Sequence, residues 1–218
     1  VLRQPDLGTG ILILIGGLTI LFIAGVSWIY FLLSGLGVFT FVFSIFYLRG
    51  TELQILKDYQ YRRIDTFLDP ANDPLGAGYH ITQSKIALGS GGFSGKGFLN
   101  GTQTKGGFVP EQHTDYIFTT VGEEWGFIGS SGLIILFTVL ISRILYRAEK
   151  HTQSFPRMFS YCFASMLFVH FFLNIGMTLG LVPTVGIPLT FISYGGTNLM
   201  AFSLMLFIYL NLDANRLN

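Results

Sequence analysis

Gly78-Tyr79-His80-Ile81-Thr82-Gln83-Ser84-Lys85-Ile86-Ala87-Leu88-Gly89 is the stretch on which the fold turns. It is the best candidate to carry an otherwise polar region across a membrane. The chain around it is strongly apolar. His170 apart, no acidic or basic side chain lies between Asp6 and Arg49, between Glu124 and Arg143, or between Arg157 and Asp213. Half of the 218 residues are hydrophobic and only 11% are charged, with a mean hydropathy of +0.56. A soluble domain of this length needs far more polar surface. An apolar pass needs about 20 residues, and clear spans are expected at 9–26, 28–48, 126–146, 158–179 and 189–211. The expected fold is all-α, a polytopic transmembrane helix bundle in a single integral membrane domain over 1–218.

Lysine and arginine positions set the orientation. Arg3 places the start of the first span inside. Arg49, Lys57, Arg62 and Arg63 place the end of the second inside. Arg143, Arg147, Lys150 and Arg157 do the same for the connection between 126–146 and 158–179, and Arg216 for the end of the last span. The 126–146 span therefore starts outside, so residues 50–125 must cross once. The crossing is assigned to about 78–99. His80, Gln83, Ser84 and Ala87 share one polar or small face there at helical spacing, and Gly89, Gly91, Gly92, Gly95 and Gly97 weaken the helix beyond it. Polar, irregular backbone at membrane depth must be shielded by protein or line a wet cavity. A long cytoplasmic loop is the competing reading.

Residues 100–125 then form one large extracytoplasmic loop. It carries Glu111, His113 and Asp115 within five positions, with Lys105 nearby. A carboxylate or imidazole that is partly desolvated suits general-base work; a solvated turn is the plainer alternative. Gly92-Phe93-Ser94-Gly95-Lys96-Gly97 lacks the Ser or Thr and the spacing of a phosphate loop, although its N–H groups and Lys96 could hold a phosphate otherwise. The set around His113 is too short for a defined metal site. Thr120-Val121-Gly122-Glu123 reads as a capping box, which makes Glu123 structural. His170 and Asn174 lie one turn apart, and interhelical hydrogen bonding is favoured over a pathway role. Ile192-Ser193-Tyr194-Gly195-Gly196-Thr197 suggests close packing or an opened helix in the last span. Cys162 is expected as a buried helix residue. The net charge of +1 and the lack of a basic, aromatic-rich patch give no reason to invoke nucleic acid.

Many of these segments resemble the SEDS family (shape, elongation, division and sporulation). The match runs through Gln4-Pro5-Asp6-Leu7-Gly8-Thr9, Asp69-Pro70, Asp73-Pro74-Leu75-Gly76-Ala77-Gly78-Tyr79-His80, Gln83-Ser84-Lys85-Ile86-Ala87 and Gly89-Ser90-Gly91-Gly92. It continues through Gly95-Lys96-Gly97, Gly101-Thr102-Gln103, Pro110-Glu111, His113-Thr114-Asp115, Gly122-Glu123-Glu124 and Pro188 to Ser193-Tyr194-Gly195-Gly196. The Gln-Ser-Lys-Ile-Ala and Gly-Thr-Gln segments are similar to the elongation branch. Lys105-Gly106-Gly107 departs from the residues usual there, so Lys105 carries no catalytic weight.

The resemblance implies ten spans, of which this chain, beginning at Val1 rather than Met, is expected to be the fifth to the tenth. It implies a peptidoglycan glycosyltransferase that polymerises lipid II in the bacterial cytoplasmic (inner) membrane, with its loop on the extracytoplasmic side. The implied partners are a class B penicillin-binding protein and other elongation-complex membrane proteins. The family's essential aspartate corresponds to Asp115, the expected general base, with His113, Glu111 and Thr114 orienting it. Lys85 and Lys96, with the glycine N–H groups around 91–97, Gly92 among them, are expected at the lipid diphosphate, and Gln83 and Ser84 on the substrate-facing side of the crossing. No cofactor is specified; a divalent cation, Mg or Mn, bridging the diphosphate is compatible, but no spacing defines one. A flippase for lipid-linked precursor is the alternative from another class.

Overall fold

The computed structural model describes residues 7–47, 61, 65–66, 68–69 and 76–215. Arg3, Arg49, Lys57, Arg62, Arg63 and Arg216, used above for orientation, lie outside the described residues, as do Gln4, Pro5, Asp6, Pro70, Asp73, Pro74 and Leu75 of the family-like segments. Among the described residues the regular elements are all helical: α1 (Leu7–Ile23), α2 (Trp28–Tyr47), α3 (Ala77–Ser90), α4 (Thr102–Lys105), α5 (Ile117–Ala148), α6 (Ser154–Leu179) and α7 (Gly196–Ala214). The last three are long and apolar enough to cross a membrane. Their exposed leucines, isoleucines and phenylalanines suit a lipid-facing surface, since lipid tails solvate such side chains as well as a protein core does.

Helix α6 is the hub, packing against α1, α3, α5 and α7. Its Phe163, Ala164 and Leu167 form a core with Ile141 and Ile144 of α5 and Phe202 and Tyr209 of α7. The helix stops at Gly180, which adopts φ 69°. Leu181 N–H donates to Gly176 O at 2.7 Å and Gly180 N–H to Met177 O at 3.1 Å, the paired bonds of a Schellman stop. The expected end of the 158–179 span is thus met, and the left-handed glycine directly after it makes the stop.

Three expected boundaries move for backbone reasons. The 189–211 segment is helical only from Gly196. Before it, Leu189–Ser193 forms a turn in which Ser193 N–H donates to Leu189 O at 2.9 Å. The 126–146 segment belongs to a helix that starts nine residues earlier, at Ile117, and breaks at Gly126 (φ 65°, ψ −159°). The 78–99 segment is helical only to Ser90. Its 14 residues give about 21 Å at 1.5 Å per residue, short of the roughly 30 Å hydrocarbon layer.

The break at Gly126 and the glycine run have one cause. Phe127 N–H donates to Gly92 O (2.9 Å), Ile128 N–H to Phe93 O (3.2 Å), Lys96 N–H to Glu123 O (3.0 Å) and Gly97 N–H to Glu124 O (2.9 Å). Two backbones therefore lie directly on each other. A Cβ on Gly91 would collide with the Gly122 carbonyl, and one on Gly126 with the backbone of Phe93 and Gly95. The N–H groups of Lys96 and Gly97, expected near a diphosphate, serve this crossing instead.

Candidate active site

The loop from Pro110 to Tyr116 is a run of tight turns leading into α5. Thr114 N–H and Tyr116 N–H both donate to Glu111 O at 3.1 Å, and Glu111 takes φ 53° to permit it. The Thr114 hydroxyl donates to Glu111 Oε2 at 2.9 Å. These bonds turn the Glu111 and Asp115 side chains toward one cavity of about 280 Å³. It is also lined by Gly76 and His80, by Tyr116, by Met177 of α6 and by Thr184–Gly186.

Helix packing fixes the wall on which the cavity rests. One turn below His80, Ser84 is fully buried and donates to Thr178 O at 3.0 Å. Its oxygen lies 2.6 Å from Thr119 Oγ1. Three hydroxyl-bearing residues, one each from α3, α5 and α6, thus meet where no water reaches them. Ser84, expected on the substrate-facing side, is instead a helix-junction residue. His80 stacks on the Tyr116 ring, with centroids 6.1 Å apart and planes 19° apart.

Asp115 is held by its backbone and left open at its carboxylate. Tyr194 N–H donates to His113 O (2.8 Å), Ser193 Oγ to Thr114 O (2.6 Å) and Asn174 Nδ2 to Asp115 O (2.8 Å). The second Asn174 Nδ2 hydrogen goes to Ile187 O at 2.9 Å. Burial, and secondarily the negative charge of Glu111, hold the Asp115 pKa above the ordinary carboxylate value. A half-buried carboxylate with a raised pKa is a stronger proton acceptor than a solvated one. Tyr116 is shifted the same way by burial and by Asp115, and so stays a neutral phenol.

The other expected site residues divide. Glu111 shares the cavity, and Thr114 orients Glu111. His113 is exposed, with its Nε2 3.5 Å from Gln112 Nε2, and does not line the cavity. Lys85 and Gly92 line a second cavity of about 470 Å³ between α3 and α5, with mostly apolar walls. Gln83, half-buried on α3, lines neither. Lys96 donates to Glu123 Oε1 at 2.7 Å and to the Ser90 and Thr102 hydroxyls. Neither lysine lines the Asp115 cavity. Among the described residues no group of three or more His, Cys, Asp or Glu converges as metal ligands would. Glu111 and Asp115 alone are too few for a protein-built shell around a hard divalent cation.

Glu123 does not close a capping box. Thr120 Oγ1 reaches back to Gln112 O at 3.5 Å. The Glu123 carboxylate accepts Gln103 N–H and Thr104 N–H, both at 2.8 Å, and so caps α4 rather than its own helix. Sequence reasoning missed His80, Tyr116 and Gly186 as cavity residues and Asn174 and Ser193 as supports of Asp115. An imidazole on α3, an amide in the apolar α6 and a hydroxyl in the turn before α7 were the available signals; the targets of the last two lie 59 and 79 positions away.

Fold and site together define a membrane-embedded, multi-pass helical protein with an acidic cavity at the end of its bundle. All of residues 1–218 match the FtsW/RodA/SpoVE family of cell cycle proteins, and the chain belongs to that family, the SEDS family expected from its motifs. It is 43% identical over 216 residues to the peptidoglycan glycosyltransferase MrdB of Escherichia coli, covering 99% of this chain and 57% of the relative. To the peptidoglycan glycosyltransferase RodA of Treponema pallidum it is 39% identical over 168 residues, 76% of this chain and 38% of that one. A chain from a study of how a peptidoglycan synthase complex coordinates polymerization and crosslinking superimposes with a TM-score of 0.80 at 30% identity, covering 99% of this chain and 57% of that one. The rod shape-determining protein RodA of Thermus thermophilus, crystallised as a mutant, gives a TM-score of 0.61 at 25% identity, covering 99% and 52%. The chain thus spans little more than half the length of these relatives at most.

Proposed function

We propose that this chain forms the Asp115-bearing part of a peptidoglycan glycosyltransferase that polymerises lipid II during cell elongation. The observation that carries the reading is the Asp115 carboxylate, aimed into a cavity beside Glu111 and His80 with its backbone fastened on three sides. Family membership and the names of the relatives support it.

In this scheme Asp115 accepts the proton of the acceptor sugar's 4-hydroxyl. The freed oxygen bonds to the donor's anomeric carbon, and the bond from that carbon to the lipid diphosphate breaks, its electron pair leaving with the diphosphate. Raised basicity suits Asp115 to this, and Glu111 contributes by repulsion. The negative diphosphate needs cationic or N–H neighbours. Lys85, on the opposite flank of α3 and above an apolar cavity, suits a lipid-linked anion better than the ion-paired Lys96. The cavity with Asp115 would face the extracytoplasmic side of the bacterial cytoplasmic membrane, with residues 78–99 making the crossing. A class B penicillin-binding protein would supply the crosslinking.

The decisive experiment is Asp115→Asn in the full-length protein with its transpeptidase partner, assayed for lipid II polymerisation in detergent. The expected loss is about a hundred- to ten-thousandfold with unchanged folding. Near wild-type polymerisation would remove Asp115 as the base. Absence of polymer from the wild-type protein as well would turn the reading toward a flippase.

A further inference from the structure

What aims the Asp115 carboxylate into its cavity is the fastening of the loop that carries it. We propose that Asn174 and Ser193 are positioning residues, forming with the Tyr194 N–H a three-point clamp on the backbone of His113-Thr114-Asp115. The inference rests on the reading of Asp115 as the base.

The geometry is specific. Three successive carbonyls of one loop each accept a bond from a different residue on α6 or in the turn before α7. Three bonds on adjacent peptide units leave the loop no free rotation about Thr114 or Asp115, because each residue has only φ and ψ to vary. The donors are themselves held. Ser193 Oγ accepts Leu189 N–H at 2.7 Å while donating to Thr114 O, so its hydroxyl orientation is fixed. Asn174 is fully buried, and its two Nδ2 hydrogens join Asp115 O to Ile187 O. That second bond draws in the 184–187 segment of the cavity wall, where a Cβ on Gly186 would stand 3.4 Å from Asp115 Oδ2. One amide therefore sets both the aspartate and the wall it faces.

No donor from the described residues reaches the Asp115 carboxylate itself, so only backbone placement determines where it points. An unclamped loop would let the carboxylate swing toward water. Two effects follow: loss of alignment with the acceptor hydroxyl, and loss of the desolvation that raises its pKa. The titratable groups around it are Glu111 and Tyr116 of its own loop and His80 of α3; the 184–187 wall contributes none, and neither Asn174 nor Met177 on α6 titrates.

The test is polymerisation of lipid II by the full-length protein with its partner, measured across pH for Ser193→Ala, Ser193→Thr and Ser193→Cys. Ser193→Ala is expected to lower kcat about ten- to a hundredfold and to move the acid limb of the profile to lower pH. Ser193→Thr keeps the hydroxyl and is expected to restore both, with the weaker donor of Ser193→Cys intermediate. Asn174→Asp, which loses both donors, is expected to exceed Ser193→Ala. If Ser193→Ala does not fold, the Thr and Cys variants still give the graded comparison. Unchanged kcat, or a lowered kcat with an unmoved acid limb and no rescue by Thr, overturns the clamp. Activity in Asp115→Asn instead overturns the base, and the two failures are read separately.

Discussion

Two carboxylates eight positions apart, Asp115 and Glu123, show opposite ways of keeping an acid inside a membrane protein. Glu123 has 0% side-chain exposure and is saturated: it takes two backbone N–H groups, the Lys96 ammonium and the hydroxyls of Ser90 and Thr102. Asp115 is anchored through its carbonyl, while its carboxylate meets a cavity and the charge of Glu111. A saturated carboxylate is a structural anion. An unsatisfied one in a cavity retains free energy for binding or chemistry, since its ionisation is not already compensated. The difference teaches that donor count around the oxygens, not proximity in sequence, separates a carboxylate saturated by the fold from one left open to a cavity.

The largest expected effect comes from crossing the two sites. Asp115→Asn should abolish polymerisation while leaving thermal stability at or above wild type. Glu123→Ala should do the reverse, unfolding the 91–105 region at a cost of about 3–5 kcal/mol because Lys96 and two N–H groups lose their anion. Denaturation of purified protein alongside polymerisation assays measures both. A stable, inactive Glu123→Ala protein would erase the contrast.

Next in size is the backbone crossing between the glycine run and α5. Gly126→Ala places a side chain at φ 65° and against Phe93 and Gly95, and should cost more than about 1–3 kcal/mol in strain alone. Lower yield of folded protein and a reduced Tm are the expected readouts; a wild-type Tm would mean the two backbones do not cross so closely.

Lys96→Met sharpens the comparison further. It removes the cation from Glu123, so the structure predicts reduced stability but unchanged lipid II affinity per folded molecule. Photocrosslinking of a lipid II analogue, normalised to folded protein, separates this from a direct role at the diphosphate.

The smallest effect is the pH dependence of stability. Asp115 has a folded pKa above its unfolded value, through burial first and Glu111 second. Its contribution is fully present below the unfolded pKa and is lost as pH rises through the folded pKa. Asp115→Asn should therefore gain stability over wild type progressively as pH rises above the unfolded pKa, reaching its full gain above the folded pKa, by melting temperature across a pH series. A gain at acid pH that vanishes at neutral pH would contradict the raised pKa.

Much of the architecture was legible in the sequence because it follows from local rules. Apolar runs cannot avoid being helices in lipid, where each N–H and C=O needs a partner within its own segment. The run of family-like motifs placed Asp115 directly. Boundaries were less legible. The break at Gly126 depends on a second stretch of backbone, Gly92 to Gly97, that lies well upstream along the chain. The surroundings of Lys96 were hidden for a related reason. Lys96 resembled a diphosphate ligand until Glu123, 27 residues on, proved to be its partner. Ser84 fell on the polar face assigned to the substrate side by helical spacing, and only Thr119 and Thr178 reveal that its face is the packed one.

By itself, then, the sequence determined that this protein is a multi-pass helical bundle of its family, with a polar interruption that carries Asp115. Composition and motif order suffice for that, because hydrophobicity and local backbone preference act within a few turns of chain. Tertiary structure alone decided how each of the two acids, Asp115 and Glu123, is held. It set Asp115 opposite His80 and Gly186, fastened its loop to Asn174 and Ser193, and closed five donors around Glu123. Those choices rest in part on hydrogen bonds between residues 59 and 79 positions apart, which no local pattern encodes.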